Sequence, residues 1–161
     1  DITTLSAGEV NYLLAKLTAK DIMHRNVITC SPDTLVEDAA CLMREKTIGA
    51  LPVVQDGKLM GIVTGVDLLD FFLDITGCRE EGATRVVIRL QDQQGVLSKL
   101  LACLDDLGGY VVSVMTPQHQ DSDDSGIRNA VIRYKADDPG QVNQKLRERG
   151  YQLVSEILPQ G

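Results

Sequence analysis

The stretch "ALPVVQDGKLMGIVTGVDLL", residues 50–69, constrains the fold more than any other part of the chain. Two apolar runs flank Asp56-Gly57, a pair favoured in two-residue hairpin turns because both central positions take positive φ. The stretch therefore predicts an antiparallel hairpin. Beyond Val63 the period changes, from a buried strand to the first turn of an amphipathic helix that begins near Val66. Thr64 and Asp67 stand at that corner. Thr64-x-x-Asp67 fits a variant capping box, the hydroxyl accepting from the Asp67 N–H and the carboxylate from the Thr64 N–H. The corner also fits a ligand, since a helix N-terminus attracts anions and a carboxylate accepts sugar hydroxyls. Both readings stand on the sequence.

Upstream, Ser6-x-x-Glu9 is a capping box for a helix whose face carries Val10, Leu13, Leu14 and Leu17. "TAKDIM" predicts a short helical turn, and "NVITC" a brief strand ended by Ser31-Pro32. Thr34-x-x-Glu37 predicts a second capped helix from Leu35 to about Lys46, with Leu35, Ala39, Leu42 and Met43 on its apolar face and Gly49 breaking it.

Downstream, "GCREEGAT" is polar, carries two glycines and reads as a linker. A strand "RVVIRL", a loop "QDQQG" and a helix bearing Val96, Leu97, Leu100, Leu101 and Leu104 follow, stopped by Gly108-Gly109. Then come a strand "YVVSVM", an acidic loop, a strand "IRNAVIRY", a helix opened by Asp138-Pro139 and a last strand "YQLVSEIL". The order β-α-β-β-α-β predicts a ferredoxin-like sandwich, one antiparallel sheet with two helices on one face. The expected class is α+β: a leading helix over residues 1–17, a hairpin-bearing domain over 18–76, a linker over 77–84 and the sandwich over 85–158.

Composition excludes several functions. With 43% hydrophobic and 24% charged residues, the 161-residue chain reads as a globular protein. No apolar run approaches a membrane span, and the first residues lack the basic start and apolar core of a signal peptide, so a cytoplasmic location is expected. A net charge of -7 disfavours nucleic acid and favours small-molecule or protein partners. Cys30, Cys41, Cys78 and Cys103 show no C-x-x-C spacing and read as reduced, hydrophobic thiols. His24 and His119 fall on loops of different domains, and no nucleophile, Walker or metal pattern is present, so neither catalysis nor a resident metal is expected. Asp121, Asp123 and Asp124 read as a solvated hairpin tip.

The phrases "DIMHRNVITCSPDTLVEDAACLM" and "IGALPVVQDGKLMGIVTGVDLL" together make residues 18–76 resemble a CBS domain. That family normally works as tandem repeats binding adenine nucleotides or adenosyl compounds in clefts between them. A single repeat is present here, and the leading helix looks like the connection into a second one. The resemblance implies Thr64 near phosphate, Asp67 on ribose hydroxyls, and Ile28, Thr29, Ala50, Leu51 and Pro52 around adenine. Ordinary core and edge strand is the alternative for the last five. Arg25, beside His24, is either a phosphate contact or part of a solvated loop. AMP, ATP and S-adenosylmethionine are the candidate ligands. Residues 1–83 carry seven lysines and arginines against thirteen acidic residues, a balance of -6, which favours a monophosphate or neutral adenosyl ligand over a triphosphate.

Residues 85–158 look like an ACT domain, a sensor fold that pairs with itself and often binds amino acids at the interface. "QDQQGVLSKLLACL" matches that family's Asp-x-x-Gly-Val-Leu loop, with Gln94 where proline is common. The implied amino-acid site is Asp92, Gln94, Gly95 and Val96, where a helix N-terminus suits a carboxylate; a plain βα turn is the alternative. CBS followed by ACT resembles the acetoin-utilisation regulatory proteins. The expected function is a non-catalytic sensor, a homodimer or higher oligomer requiring no cofactor. A ligand-free dimerisation module and the regulatory part of a metabolic enzyme are its rivals.

Overall fold

The computed structural model describes residues 6–117 and 126–159; His119 and the acidic triplet Asp121, Asp123 and Asp124 lie outside the described residues. The N-terminal elements are α1 (Ala7–Lys16), α2 (Ala19–Ile22), α3 (Val36–Lys46), β1 (Ala50–Gln55), β2 (Lys58–Thr64) and α4 (Gly65–Ile75). They are followed by β3 (Thr84–Gln91), α5 (Val96–Asp106), β4 (Tyr110–Met115), β5 (Ile127–Lys135), α6 (Pro139–Glu148) and β6 (Gln152–Ile157). Contacts divide the chain into two compact units, residues 1–65 and 66–161.

In the first unit the Ser6–Glu9 capping box forms: the Ser6 N–H donates to the Glu9 carboxylate at 2.9 Å, and the Glu9 N–H to the Ser6 hydroxyl at 3.4 Å. Accepting from both Ser6 donors holds the Glu9 carboxyl below its usual range. β1 and β2 pair antiparallel about Asp56 (φ 50°) and Gly57 (φ 73°), the two positive values that the turn requires.

Three local expectations give way. Thr34 does not cap α3: its hydroxyl turns back to accept from the Ser31 N–H at 3.0 Å, and the cap position falls to Leu35, which makes no side-chain bond. A short polar side chain has found a nearer backbone partner in the Ser31–Thr34 turn. The helix stops at Thr47 in the left-handed region (φ 55°), ahead of Gly49. "NVITC" contributes a single parallel bridge, Cys30 beside Val53, in place of a strand. Pro32 has no N–H to continue the ladder.

Few side chains of this unit are fully enclosed. Ala39, Met43 and Leu51 are its buried hydrophobics among the described residues, while Leu13, Leu14, Leu17, Ile22, Leu59, Met60 and Ile62 are all at least half exposed. No cysteine is in a disulfide; Cys103 is buried as expected of a small hydrophobe, whereas Cys41 and Cys78 are exposed.

The second unit is one antiparallel sheet in the order β4-β5-β3-β6. Alternation along β3 and β5 turns Val86, Ile88, Leu90, Ala130, Ile132 and Tyr134 inward. They form one core with Leu100, Cys103 and Leu104 of α5 and Val142 and Leu146 of α6, so both helices cover the same face. Asp138 caps α6 by accepting from the Gln141 N–H at 2.9 Å, with Pro139 at the first helical position. On the opposite face the end of α4 is pinned to the sheet. Ser113 Oγ donates to the Thr76 carbonyl at 2.7 Å, and Lys135 pairs with Glu80 at 2.8 Å. Gly77 (φ 62°) lies so close that a Cβ there would stand 2.7 Å from Val112 Cγ1.

One polar chain crosses the core. The Tyr134 hydroxyl donates to Asn143 Oδ1 at 2.6 Å, and Asn143 Nδ2 donates to Glu156 at 2.9 Å. Glu156 in turn pairs with Arg147 at 2.9 Å. Burial, reinforced by the Glu156 charge, pushes the Tyr134 phenol up to about 12. The folded protein therefore binds the phenolic proton more tightly than the unfolded chain, whose tyrosine titrates near 10. Stability owed to this group should be fully present below pH 10 and fall as pH rises from 10 towards 12. Tyr134→Phe should cost about 1–3 kcal/mol at pH 7 by leaving Asn143 Oδ1 without its donor, and should remove that alkaline decline. Urea unfolding from pH 8 to about 11 measures both.

Candidate functional site

The larger of two candidate sites lies in the first unit. Residues 26–30 run beside β1, held by the Cys30 N–H on the Pro52 carbonyl at 3.0 Å and the Val54 N–H on the Cys30 carbonyl at 2.8 Å. The start of β1 is fixed from two sides, by the Ile48 N–H on the Met43 carbonyl at 3.0 Å and the Gly65 N–H on the Gly49 carbonyl at 3.0 Å. Between them opens a cavity of 510 Å³, walled by Met23, His24, Asn26, Val27 and Ile28 on one side and Ile48 and Ala50 on the other. Its size falls within the range of small-molecule sites. Apolar walls with one imidazole and one carboxamide suit a flat ring with hydrogen-bonding edges.

The structure brings together some of the expected residues and separates others. Ile28 and Ala50 line the cavity, and Thr64 stands directly opposite Ala50 in the hairpin register. Leu51 is wholly buried, so its side chain belongs to the core, and Pro52 is half-buried with its carbonyl engaged by Cys30. Thr29 is exposed and is not a wall of the cavity. Asp67 is exposed in the first turn of α4, and neither it nor Thr64 is without a partner. Met23, Asn26, Val27 and Ile48 were not singled out by sequence pattern, because they sit on irregular backbone with no period to reveal a face. The signal that points to them is position: Met23 closes the "DIM" phrase, Asn26 and Val27 follow it, and Ile48 precedes "ALP".

The comparisons with known proteins bear on the N-terminal part of the chain, from α2 through most of α4. Residues 19–74 match the CBS domain family. They form a CBS domain. The chain is 41% identical over 51 residues to the CBS domain-containing protein YhcV of Bacillus subtilis, covering 32% of this chain and 36% of that protein. It is 38% identical over 73 residues to homoserine O-acetyltransferase of Methanosarcina acetivorans, covering 42% of this chain and 14% of that enzyme. A solved CBS domain from a CBS domain-containing membrane protein of Sphaerobacter thermophilus is 42% identical, covering 42% of this chain and 44% of that one, with a TM-score of 0.35. The chain thus spans 36%, 14% and 44% of the length of these three proteins. The cavity lies within the CBS domain.

A second cavity, of 320 Å³, opens at the end of β3 between Arg89, Gln91, Val96, Ile127 and residues 150–152. Of the expected amino-acid site, Val96 alone lines it. Asp92 is paired with Arg128 at 3.2 Å, and the Val96 N–H already donates to the Gln93 carbonyl at 3.3 Å. Gln94 and Gly95 are exposed. Among the described residues no cluster of three or more histidine, cysteine or acidic groups is arranged to hold a metal, and no helix is long and apolar enough to cross a membrane.

Gly95 precedes α5 with φ at 83°, and a Cβ built there meets nothing within 4 Å. Any side chain at this position is strained by its backbone alone. Gly95→Ala should lower stability by about 1–2 kcal/mol in urea unfolding, although no contact is lost.

Proposed function

We propose that the protein is a non-catalytic regulatory sensor whose CBS domain binds an adenine nucleotide or adenosyl ligand, with the base held between Ile28 and Ala50. Thr64 is assigned to phosphate and Asp67 to ribose hydroxyls, with a helix N-terminus and a carboxylate supplying the complementary chemistry. The observation that carries this reading is the 510 Å³ cavity, lined by Ile28 and Ala50 inside the stretch matching the CBS family. The second unit is assigned as an ACT-type sensor, on the strength of its β4-β5-β3-β6 antiparallel order and its Asp92–Val96 loop. An amino acid is its proposed ligand. Exposed Leu13, Leu14 and Ile62 support assembly as a homodimer, since soluble monomers rarely leave large apolar patches open. Regulation then requires a ligand that binds two arrangements of the dimer unequally.

A second reading, the regulatory part of a metabolic enzyme, draws on the homoserine O-acetyltransferase similarity, which covers 14% of that enzyme. An encoding frame that continues into a catalytic domain would favour it.

Titration calorimetry of the full chain against AMP, ATP and S-adenosylmethionine should show saturable binding, weakest for ATP because residues 1–83 carry a balance of -6. Ala50→Phe should fill the cavity and weaken binding by about tenfold or more, equivalent to about 1.4 kcal/mol. Light scattering should report at least twice the 17.6 kDa of one chain. Absence of heat with all three adenosyl compounds, together with an intact dimer, would leave the ligand-free dimerisation module as the function.

A further inference from the structure

The outer face of the second unit's sheet carries an arginine pair, Arg85 and Arg133, that lines neither of the two cavities. Because Val86, Ile88, Leu90, Ala130, Ile132 and Tyr134 face the helices, the alternate residues stand on the other side. The register sets Arg85 directly opposite Arg133, Val87 opposite Val131, and Arg89 opposite Asn129. Directly opposed side chains of an antiparallel pair have Cβ atoms about 5 Å apart, and like-charged residues set directly opposite are destabilising. Arg85 and Arg133 thus share one rung, and Arg89, which also lines the 320 Å³ cavity, stands two rungs along the same face of a chain whose net charge is -7.

Carboxylates do not relieve them. The ion pairs of this unit run from Arg79 to Asp70 and Asp74, from Arg128 to Asp92, and from Lys135 to Glu80. Two more run from Arg147 to Glu156 and from Arg149 to Asp106. Among the described residues none reaches Arg85, Arg89 or Arg133. Arg133 Nε and Asn129 Oδ1 are closed off from solvent yet have no hydrogen-bond partner. The Gly77 turn packs over the Arg133 stem, close to its Cδ, so the repulsion is not relieved by this arginine swinging away.

We propose that this face is a binding site for a small polyanion of the phosphate or polycarboxylate type. Arg85 and Arg133 grip it from opposed strands, and Arg89 stands two rungs on, beyond the Val87–Val131 pair. Guanidinium forks give paired donors to phosphate or carboxylate oxygens, and an anion between two opposed arginines replaces repulsion with two attractions. A nucleic acid or a large acidic protein would set its charge against the rest of a net-negative molecule, whereas a small anion meets the opposed Arg85–Arg133 pair alone.

Titration calorimetry of the full chain with pyrophosphate and with citrate, at matched ionic strength in sodium chloride, tests the site. Saturable binding of at least one is expected, and the tighter of the two identifies the natural chemistry as phosphate or polycarboxylate. Arg85→Gln, which leaves the Arg133 stem under Gly77, should weaken that binding by about tenfold or more. The same variant should melt no lower than the parent in anion-free buffer, because a like-charge pair has been removed. Thr64→Ala should leave polyanion binding unchanged. The proposal is overturned by no saturable heat with either anion, by unchanged affinity in Arg85→Gln, or by loss of binding in Thr64→Ala, which would place the anion in the CBS domain.

Discussion

Strand β3 is the member on which the second unit depends. It is hydrogen-bonded on both sides, to β5 along its whole length and to β6 across a bulge. Its alternate residues Val86, Ile88 and Leu90 form the middle of the core, so a register slip of one residue would send those three to solvent and bring Arg85 and Arg89 among the helices. That penalty fixes the sheet. It also fixes where the arginines and the connecting turn must lie, because everything on the outer face inherits its position from the inner one.

The CBS domain is built on a different balance. Its hairpin is specified locally, by a two-residue turn with both φ values positive, and its segments are tied by few backbone hydrogen bonds, two at Cys30 and one at Gly65. With Ala39, Met43 and Leu51 as the buried hydrophobics of residues 6–65, little of its apolar surface is removed from water within the unit. Burial at about 25 cal/mol per Å² is the dominant favourable term in folding, so a unit with so few enclosed side chains gains markedly from anything that covers its open ones. Anything that bound this unit in its folded form alone would therefore add to its stability.

Much of this was legible in the sequence where periodicity or local chemistry acts alone. The Asp56-Gly57 turn, the Ser6–Glu9 box, the Asp138-Pro139 helix start and the period-2 pattern of β3 and β5 each follow from neighbouring residues. Thr34 shows the boundary of that method: its hydroxyl had two backbone partners within reach, and which one won depended on the turn that Pro32 imposes. The cavity walls at Met23, Asn26, Val27 and Ile48 were illegible for another reason, since irregular backbone places side chains by tertiary hydrogen bonds that leave no repeat. The outer-face arginines are visible as letters in "RVVIRL" and "IRNAVIRY", but their opposition needed the register, which a sequence does not state.

Thr47 joins these themes. A β-branched residue in the left-handed region is conformationally costly, and here it ends α3 immediately before Ile48, a wall of the CBS cavity. The bend it makes lets the Ile48 N–H reach back to the Met43 carbonyl, so the wall is anchored to the helix end that the strained residue creates. Pocket shape and helix stability are consequently set by one torsion. Glycine or asparagine at residue 47 would keep the bend at lower conformational cost, whereas a residue drawn back to the right-handed region would prolong the helix and carry Ile48 away from the wall.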